Sequence, residues 1–150
     1  MDIAIETVTL EAGQGVGLRR QLPMAELPGF FGEAFMRLFT AAGAAVAGPP
    51  FAQYYSVDDS GVDVEVVVPT RGPVEAPEGL AVVDLPGGEA AQALWVGPYD
   101  AMQPVYEAIE AWMAEHGRAP GGPPREVYLT SPDENLPPEQ YRTLVVWPLA

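Results

Sequence analysis

The chain has 150 residues, 48% of them apolar, which is the length and composition of one folded domain. Its 21 acidic residues outnumber seven Lys and Arg residues and give a formal charge of −14, which repels phosphate backbones and anionic membrane surfaces. We therefore expect no direct nucleic-acid binding and no association with membranes.

Residue counts also exclude several kinds of site. Cysteine is absent, so the chain cannot form disulfides, thiol nucleophiles or thiolate metal sites, and His116 is its single histidine, too few for a histidine-based metal site. Asp2 and Glu6 stand where a signal peptide would be basic, and no apolar run approaches the ~20 residues of a membrane span. We expect a cytoplasmic, soluble protein without a metal or cofactor.

Helical periodicity first appears after residue 27. Phe31, Phe35, Leu38 and Ala42 recur on one face of a helix predicted from about Pro28 to Ala45, in which proline is tolerated in the first turn. Such an apolar stripe has to be covered, and we expect it to pack on a sheet.

The next clear element is a strand predicted from Val62 to Pro69. Its even-numbered valines form one apolar face, and Asp63, Glu65 and Val67 point to the opposite face. Glu65 is therefore a candidate acid for a binding site.

A second helix is predicted from about Ala101 to His116, with Asp100 as its cap and Gly117 as its end. Pro104 falls in the first turn, where few hydrogen bonds are lost. The residues on the inward face share helical spacing and are expected to form the core beneath this helix. Among them, Trp112 and Met113 are expected to contribute packing only. The inward residues are Met102, Val105, Tyr106, Ile109, Trp112 and Met113.

The two halves of the chain repeat one pattern. The segment 48–54 (GPPFAQY) matches 122–128 (GPPREVY) in its glycine, both prolines and its tyrosine, 122 − 48 = 74 positions later. Pro23 and Pro98 precede the two helices at nearly the same offset, and strands ending at Pro69 and Pro148 follow.

This repeat predicts one α+β domain over residues 1–150, a duplicated β-α-β-β module with repeats at about 1–70 and 78–150. We expect pseudo-twofold symmetry, with a curved antiparallel sheet, both helices on one face and a ligand cleft on the other.

Strand alternation over residues 125–130 selects the cleft residues. Val127 and Leu129 are expected under the helices, and Glu126 and Tyr128 in the cleft, where the repeat adds Tyr54. A carboxylate on an aromatic surface is costly to desolvate without a compensating partner, and tyrosine faces attract cations. The pattern predicts a site for aromatic cations. The alternative is that Glu126 is solvated and the tyrosines are ordinary strand residues.

Four short segments together resemble the GyrI-like (gyrase-inhibitor-like) effector-binding domains, found alone or behind the helix-turn-helix regions of AraC-type and MerR-type regulators. They are Leu94–Tyr99, the aromatic helix Tyr106–Trp112, Arg125–Tyr128 and Leu144–Leu149. The resemblance covers almost the whole chain. It implies the duplicated β-α-β-β fold and places Glu126 in the ligand cleft, lined by Tyr128, Tyr54 and Trp95.

Three functions follow from this resemblance. The first is a stand-alone multidrug-binding or sequestering protein for aromatic, cationic xenobiotics. The second is a hydrolase that opens the cyclopropane of DNA-alkylating natural products, with Glu126, Tyr128 and Tyr54 as base or orienting groups. The third is an acidic inhibitor of DNA gyrase.

The partner of such a domain stays open. A basic helix-turn-helix is not among these 150 residues, so we expect no self-contained transcription factor, and a protein partner would be gyrase or a separate regulator. The oligomeric state is undetermined, because an exposed sheet edge can pair with a second chain.

Overall fold

A computed structural model of the chain describes residues 3–130 and 134–150. In chain order its elements are β1 (Glu6–Leu10), β2 (Gly13–Leu22), α1 (Leu27–Ala42), β3 (Phe51–Asp58), β4 (Gly61–Thr70), β5 (Ala81–Leu85), β6 (Gly88–Val96), α2 (Gln103–Glu115), β7 (Arg125–Tyr128) and β8 (Arg142–Pro148). They form two compact units. The N-terminal unit is Glu11–Gly87, and the C-terminal unit contains the described residues of Met1–Leu10 and Gly88–Ala150.

The N-terminal unit is an antiparallel sheet with strand order β3-β4-β2-β5 and α1 on one face. Val16 and Leu18 of β2 and the valines of β4 are buried, so the two central strands supply most of the apolar surface. α1 buries Phe30, Ala34, Leu38 and Ala42, which recur every four residues along one stripe.

The C-terminal unit has the strand order β1-β6-β8-β7, with α2 packed over β6 and β8. Its core is a set of buried apolar side chains from α2, the turn before it, β6 and β8. They are Ala91, Ala93, Trp95, Met102, Val105, Ile109, Met113 and Val145.

Strand register confirms the duplicated β-α-β-β module. Tyr54 lies opposite Val64 in the β3–β4 pair, and Tyr128 lies opposite Thr143 at the same step of the β7–β8 pair. Pro23 and Pro98 each precede a short 3-10 turn that leads into a helix. The predicted α+β class and the equivalence of Tyr54 with Tyr128 are therefore correct.

Sequence periodicity missed β1 and β5. Each has five residues, three of them exposed, and pairs with a single strand of its own unit. Such short strands carry too little hydrophobic alternation to be recognised.

The predicted inward face of α1 is confirmed for Leu38 and Ala42, which are buried, and was wrong by one residue in the first half of the helix. Phe30 and Ala34 are buried, whereas Phe31 and Phe35 are half-buried and stack on each other at 5.8 Å. Adjacent phenylalanines satisfy the same periodicity, so the spacing could not decide between them.

The ends of α2 were predicted in part. The helix starts at Gln103, and Asp100 lies in the preceding 3-10 turn without capping it. Gly117 adopts a positive φ of 64°, and the amide of Arg118 then donates to the Met113 carbonyl at 2.8 Å, which closes the helix as predicted. Neither helix in the described part of the chain has the length and apolarity needed to cross a bilayer.

Core packing under α2 gives a direct stability prediction. Ile109 is fully buried, so Ile109→Ala should lower the free energy of unfolding by about 2–5 kcal/mol in urea denaturation. Glu110 is exposed next to it, and Glu110→Ala should change stability by less than about 0.5 kcal/mol. Equal effects of the two substitutions would contradict this placement of the helix.

Candidate functional site

Glu126 and Tyr128 lie on the helix-covered face of the C-terminal unit. Glu126 is directly opposite Val145, which belongs to the core beneath α2, and residues that face each other across a pair share a face. The assignment of Val127 and Leu129 to the helix side was therefore wrong, and Leu129 is 39% exposed. Alternation shows which residues share a face, but not which face the helix covers.

The carboxylate of Glu126 accepts hydrogen bonds from two phenols. Tyr106 of α2 donates to Oε2 at 2.5 Å, and Tyr128 donates to Oε1 at 3.1 Å. Glu126 is partly buried, so these donors compensate the loss of water around its charge. Because Tyr106 comes from the helix and Tyr128 from the strand, the two phenols fix the carboxylate from two elements.

Further aromatic rings extend this cluster. Tyr99 packs edge-on against Tyr128 at 5.6 Å and stacks on Tyr141 at 5.0 Å. Burial of the Tyr99 ring, with smaller contributions from Tyr141 and Glu126, raises the pKa of Tyr99 above its usual value. Trp147 lies edge-on to Tyr106 at 6.0 Å. We call Glu126, Tyr99, Tyr106, Tyr128, Tyr141 and Trp147 the Glu126 cluster.

Trp95, predicted to line the site, lies in the core of the same unit. It is 6% exposed, and its indole N–H donates to the Pro98 carbonyl at 3.0 Å. Trp95 shares a cross-strand row with Thr143 and Tyr128, so it lies on the same face of the sheet as Tyr128. Its contact with a ligand stays a prediction.

Tyr54 and Glu65, both predicted as candidate binding residues, lie on opposite faces of the N-terminal unit. Tyr54 of β3 pairs with Val64 of β4, and Val64 pairs with Arg20 of β2, so the three side chains share one face. On that face the Arg20 guanidinium lies 4.8 Å from the Phe30 ring of α1. Tyr54 therefore lies on the α1 side of the N-terminal unit, and Glu65, the next residue along β4, lies on the opposite side. The role of Tyr54 in ligand binding stays a prediction.

Glu65 belongs to a separate polar cluster. Its Oε1 accepts from Gln53 at 2.7 Å and from Tyr55 at 2.8 Å, and the residue is 9% exposed. Arg19 lies 3.7 Å above the Tyr55 ring and makes a two-point ion pair with Asp63, which holds the pKa of Asp63 below its usual value. Burial, together with the Glu65 hydrogen bond, raises the pKa of Tyr55 to about 12.

Sequence reasoning did not identify Tyr106, Tyr99 and Tyr141 as site residues. Tyr106 was assigned to the core stripe of α2, because helical spacing does not show that a tyrosine hydroxyl has a carboxylate partner on a strand. The available signal was chemical, since a buried tyrosine hydroxyl needs an acceptor.

The groove beside Leu94 lies apart from the Glu126 cluster, and the described residues contain no metal-binding group. No group of three or more His, Asp or Glu residues in residues 3–130 and 134–150 is arranged to hold a metal ion. A groove of about 550 Å³ lies along Leu94, Val96 and Leu144, and none of the cluster tyrosines lines it. We place the candidate site at the Glu126 cluster because charge and aromatic surface meet there.

The Tyr106 hydrogen bond should be measurable by a double-mutant cycle. Tyr106→Phe should lower the free energy of unfolding by about 1–3 kcal/mol, because a hydrogen bond to a charged acceptor is lost. The loss should be smaller in a Glu126→Gln background, and Tyr128→Phe, whose bond is longer, should cost less. Strictly additive effects of Tyr106→Phe and Glu126→Gln would show that the two side chains do not interact.

The Tyr55 pKa predicts how stability depends on pH. An unfolded tyrosine ionises near pH 10, whereas folded Tyr55 stays protonated to about pH 12, so the unfolded state loses its proton first. The free energy of unfolding should therefore fall between about pH 10 and 12 and be unaffected by Tyr55 at lower pH. Tyr55→Phe should reduce this slope in urea unfolding series, and an unchanged slope would argue against the raised pKa.

Solved structures share this fold at low sequence identity. The EcmrR C-terminal domain matches with a TM-score of 0.88 and 15% identity over 100% of this chain and 99% of that one. Within the EcmrR–DNA complex, the chain spans 57% of the EcmrR chain. SAV2435 bound to tetraphenylphosphonium matches with a TM-score of 0.64 and 13% identity over 100% of this chain and 94% of that one.

A hydrolase from Listeria innocua also matches, with a TM-score of 0.76 and 13% identity over 97% of this chain and 91% of that one. No curated protein sequence matches the chain. The model of the GyrI-like small molecule binding domain matches residues 3–150. As the sequence resemblance implied, the chain belongs to the GyrI-like small molecule binding domain family.

Proposed function

We propose that this chain binds lipophilic aromatic cations at the Glu126 cluster. The observation that carries the proposal is a partly buried carboxylate held by two phenols among further aromatic rings. An ionised group in this setting is paired with hydrogen-bond donors but remains attractive to a positive charge.

Electrostatics favour cations over neutral compounds here. Tyr106 and Tyr128 are neutral donors, so their hydrogen bonds stabilise the charge of Glu126 and add no positive charge of their own. A charge that is partly removed from water interacts more strongly with a ligand cation than a fully solvated one. The formal charge of −14 also raises the concentration of cations near the protein surface.

The surrounding rings favour flat or aromatic ligands. Tyr99 is 45% exposed and presents ring surface beside Tyr128 and Tyr141. Aromatic faces bury the body of an aromatic compound and attract a cation by about 0.5–2 kcal/mol. Such contacts depend little on the shape of the ligand, which suits a broad specificity.

The comparisons support a small-molecule ligand of this kind. The family is described as small-molecule binding, and one structure with the same fold, SAV2435, is bound to tetraphenylphosphonium, a lipophilic aromatic cation. Tetraphenylphosphonium is therefore the first probe for this chain.

Glu126→Gln tests the role of the charge while it keeps the side-chain shape. Tetraphenylphosphonium should bind the variant roughly tenfold more weakly, equivalent to ~1.4 kcal/mol, and a neutral aromatic of similar size should lose little affinity. Isothermal titration calorimetry or tryptophan fluorescence would measure both.

Glu65→Gln is the matched control, since it removes one buried carboxylate from the other cluster. Its affinity for tetraphenylphosphonium should equal that of the wild type. Loss of binding in Glu65→Gln but not in Glu126→Gln would move the site to the N-terminal unit and refute the proposal.

Hydrolysis is a second candidate, because a protein described as a hydrolase shares the fold with a TM-score of 0.76. In that case Glu126 would act as a base toward water, with Tyr128 orienting the substrate. Glu126→Gln would then abolish turnover of a strained cyclopropane substrate and leave its binding largely unchanged. If Glu126→Gln loses affinity for the cation and the wild type does not turn over a cyclopropane substrate, the results favour a binding protein over a hydrolase.

A further inference from the structure

The face of the C-terminal unit opposite α2 carries a groove of about 550 Å³. Leu94 and Val96 alternate along β6 with Ala93 and Trp95, which belong to the core beneath α2, so they lie on the other face of the sheet. The Glu126 cluster lies on the helix-covered face, and the groove is therefore separate from it. We call it the Leu94 groove, and its lining includes Ile3, Ala4, Glu6, Leu94, Val96 and Leu144.

The walls of the Leu94 groove are mainly aliphatic. Leu94 and Val96 are 43% and 52% exposed, so they present apolar surface to a ligand. Clefts of about 300–1,000 Å³ with mainly apolar walls are typical binding sites for small molecules. A groove of this size without tyrosines in its lining suits an alkyl chain, whereas the rings of the Glu126 cluster suit an aromatic body.

A carboxylate lies at one end of the groove. Glu6 of β1 pairs with Gln92 of β6, so the two side chains share a face, and Gln92 Nε2 donates to Glu6 Oε2 over a long 3.5 Å. None of the ion pairs within residues 3–130 and 134–150 involves Glu6. Its negative charge is therefore open to a ligand cation.

The main chain of β6 adds hydrogen-bond acceptors along the groove. The Gly97 amide donates to the Tyr141 carbonyl, so the odd-numbered residues of β6 direct their main-chain groups toward β8. Leu94 and Val96 direct theirs to the opposite side. In the described chain β1 pairs with β6 as far as Gln92, which leaves the Leu94 and Val96 carbonyls beyond the end of that pairing.

These acceptors match a primary ammonium group. Such a group has three N–H donors and no acceptor. The Glu6 carboxylate, the Gln92 side-chain oxygen and the Leu94 carbonyl supply acceptors at the same end of the groove. A quaternary cation has no N–H donor, so it gains the attraction of the charge but none of these hydrogen bonds.

A positive side chain at the other end gives such a ligand one orientation. Arg142 pairs with Val96, which is four residues and about 13 Å along the strand from Gln92. A cationic head group is repelled beside Arg142 and attracted beside Glu6. The head group therefore belongs at the Glu6 end, with the chain directed toward Val96.

We propose that the Leu94 groove binds primary alkylammonium ions, with the ammonium group at Glu6 and Gln92 and the alkyl chain along Leu94 and Val96. This second site has a different face and a different ligand class from the Glu126 cluster, and it does not depend on the function proposed there. Each methylene group that the groove buries should strengthen binding by roughly twofold to fourfold.

Isothermal titration calorimetry of the full chain with hexylammonium and octylammonium at about pH 7, where both amines are ionised, tests the ligand class. Octylammonium should bind more tightly than hexylammonium, because its longer chain buries more apolar surface. It should also bind more tightly than octyltrimethylammonium, which lacks N–H donors, and octan-1-ol, which lacks the charge. No binding of octylammonium, or equal affinity for all three octyl compounds, overturns the proposal.

Two variants with matched controls test the position. Glu6→Gln should weaken octylammonium binding roughly threefold to fivefold, because an exposed ion pair contributes modestly, and Glu110→Gln on the exposed face of α2 should not. Leu94→Ala should weaken it severalfold, and Leu129→Ala, which removes a similarly exposed side chain, should not. Equal losses in a variant and its control would show general attraction to the surface and overturn the assignment.

Competition separates this site from the Glu126 cluster. Octylammonium should shift the NMR signals of the Leu94 and Val96 amides, and saturating tetraphenylphosphonium should leave its affinity unchanged, as should Glu126→Gln. Displacement by tetraphenylphosphonium would place octylammonium at the Glu126 cluster and overturn the groove site alone. A failure of tetraphenylphosphonium to bind would instead refute the function proposed for Glu126 and leave the groove site standing.

Discussion

The hydrogen bond from Tyr106 to Glu126 joins the helix α2 to the strand β7, and the account of the site depends on it. A carboxylate that is partly removed from water is unfavourable unless donors replace the lost solvent. Tyr106 and Tyr128 supply those donors from two different elements, so the charge is held in place by the fold itself. Hydrogen bonds from neutral phenols favour the ionised form of a carboxylate, which is the form that a cation recognises.

The polar cluster in the N-terminal unit offers an internal example of the same chemistry. There the guanidinium of Arg19 lies over the Tyr55 ring, with Asp63 and Glu65 on the same face. A cation on an aromatic surface backed by carboxylates is thus a stable arrangement within this chain. The Glu126 cluster lies on the helix-covered face of its unit, whereas Glu65 lies on the face of the N-terminal unit opposite α1.

Much of the fold could be predicted because the repeat of Gly-Pro-Pro and tyrosine is a direct record of duplication. It gave the order of elements and the equivalence of Tyr54 with Tyr128, which the register of β3 and β7 confirms. The short edge strands β1 and β5 left no comparable pattern. In α1, neighbouring phenylalanines fit the same helical period, so only packing distinguishes buried Phe30 from half-buried Phe31.

The site was harder to predict than the fold. Alternation correctly grouped Glu126 with Tyr128, but whether that pair faces the helix depends on the tertiary packing of α2. Tyr106 reaches Glu126 from 20 residues away in sequence, and no local pattern encodes such a contact. The resemblance to the GyrI-like family indicated Glu126, whereas the structure was needed to identify the side chains that donate hydrogen bonds to it.

The most direct test of the central claim is a crystal structure of this chain with tetraphenylphosphonium. The phosphonium centre should lie nearer to the Glu126 carboxylate than to any other carboxylate, with phenyl rings against the tyrosines of the Glu126 cluster. A ligand bound elsewhere, beside Glu65 or in the apolar groove along Leu94 and Val96, would contradict it.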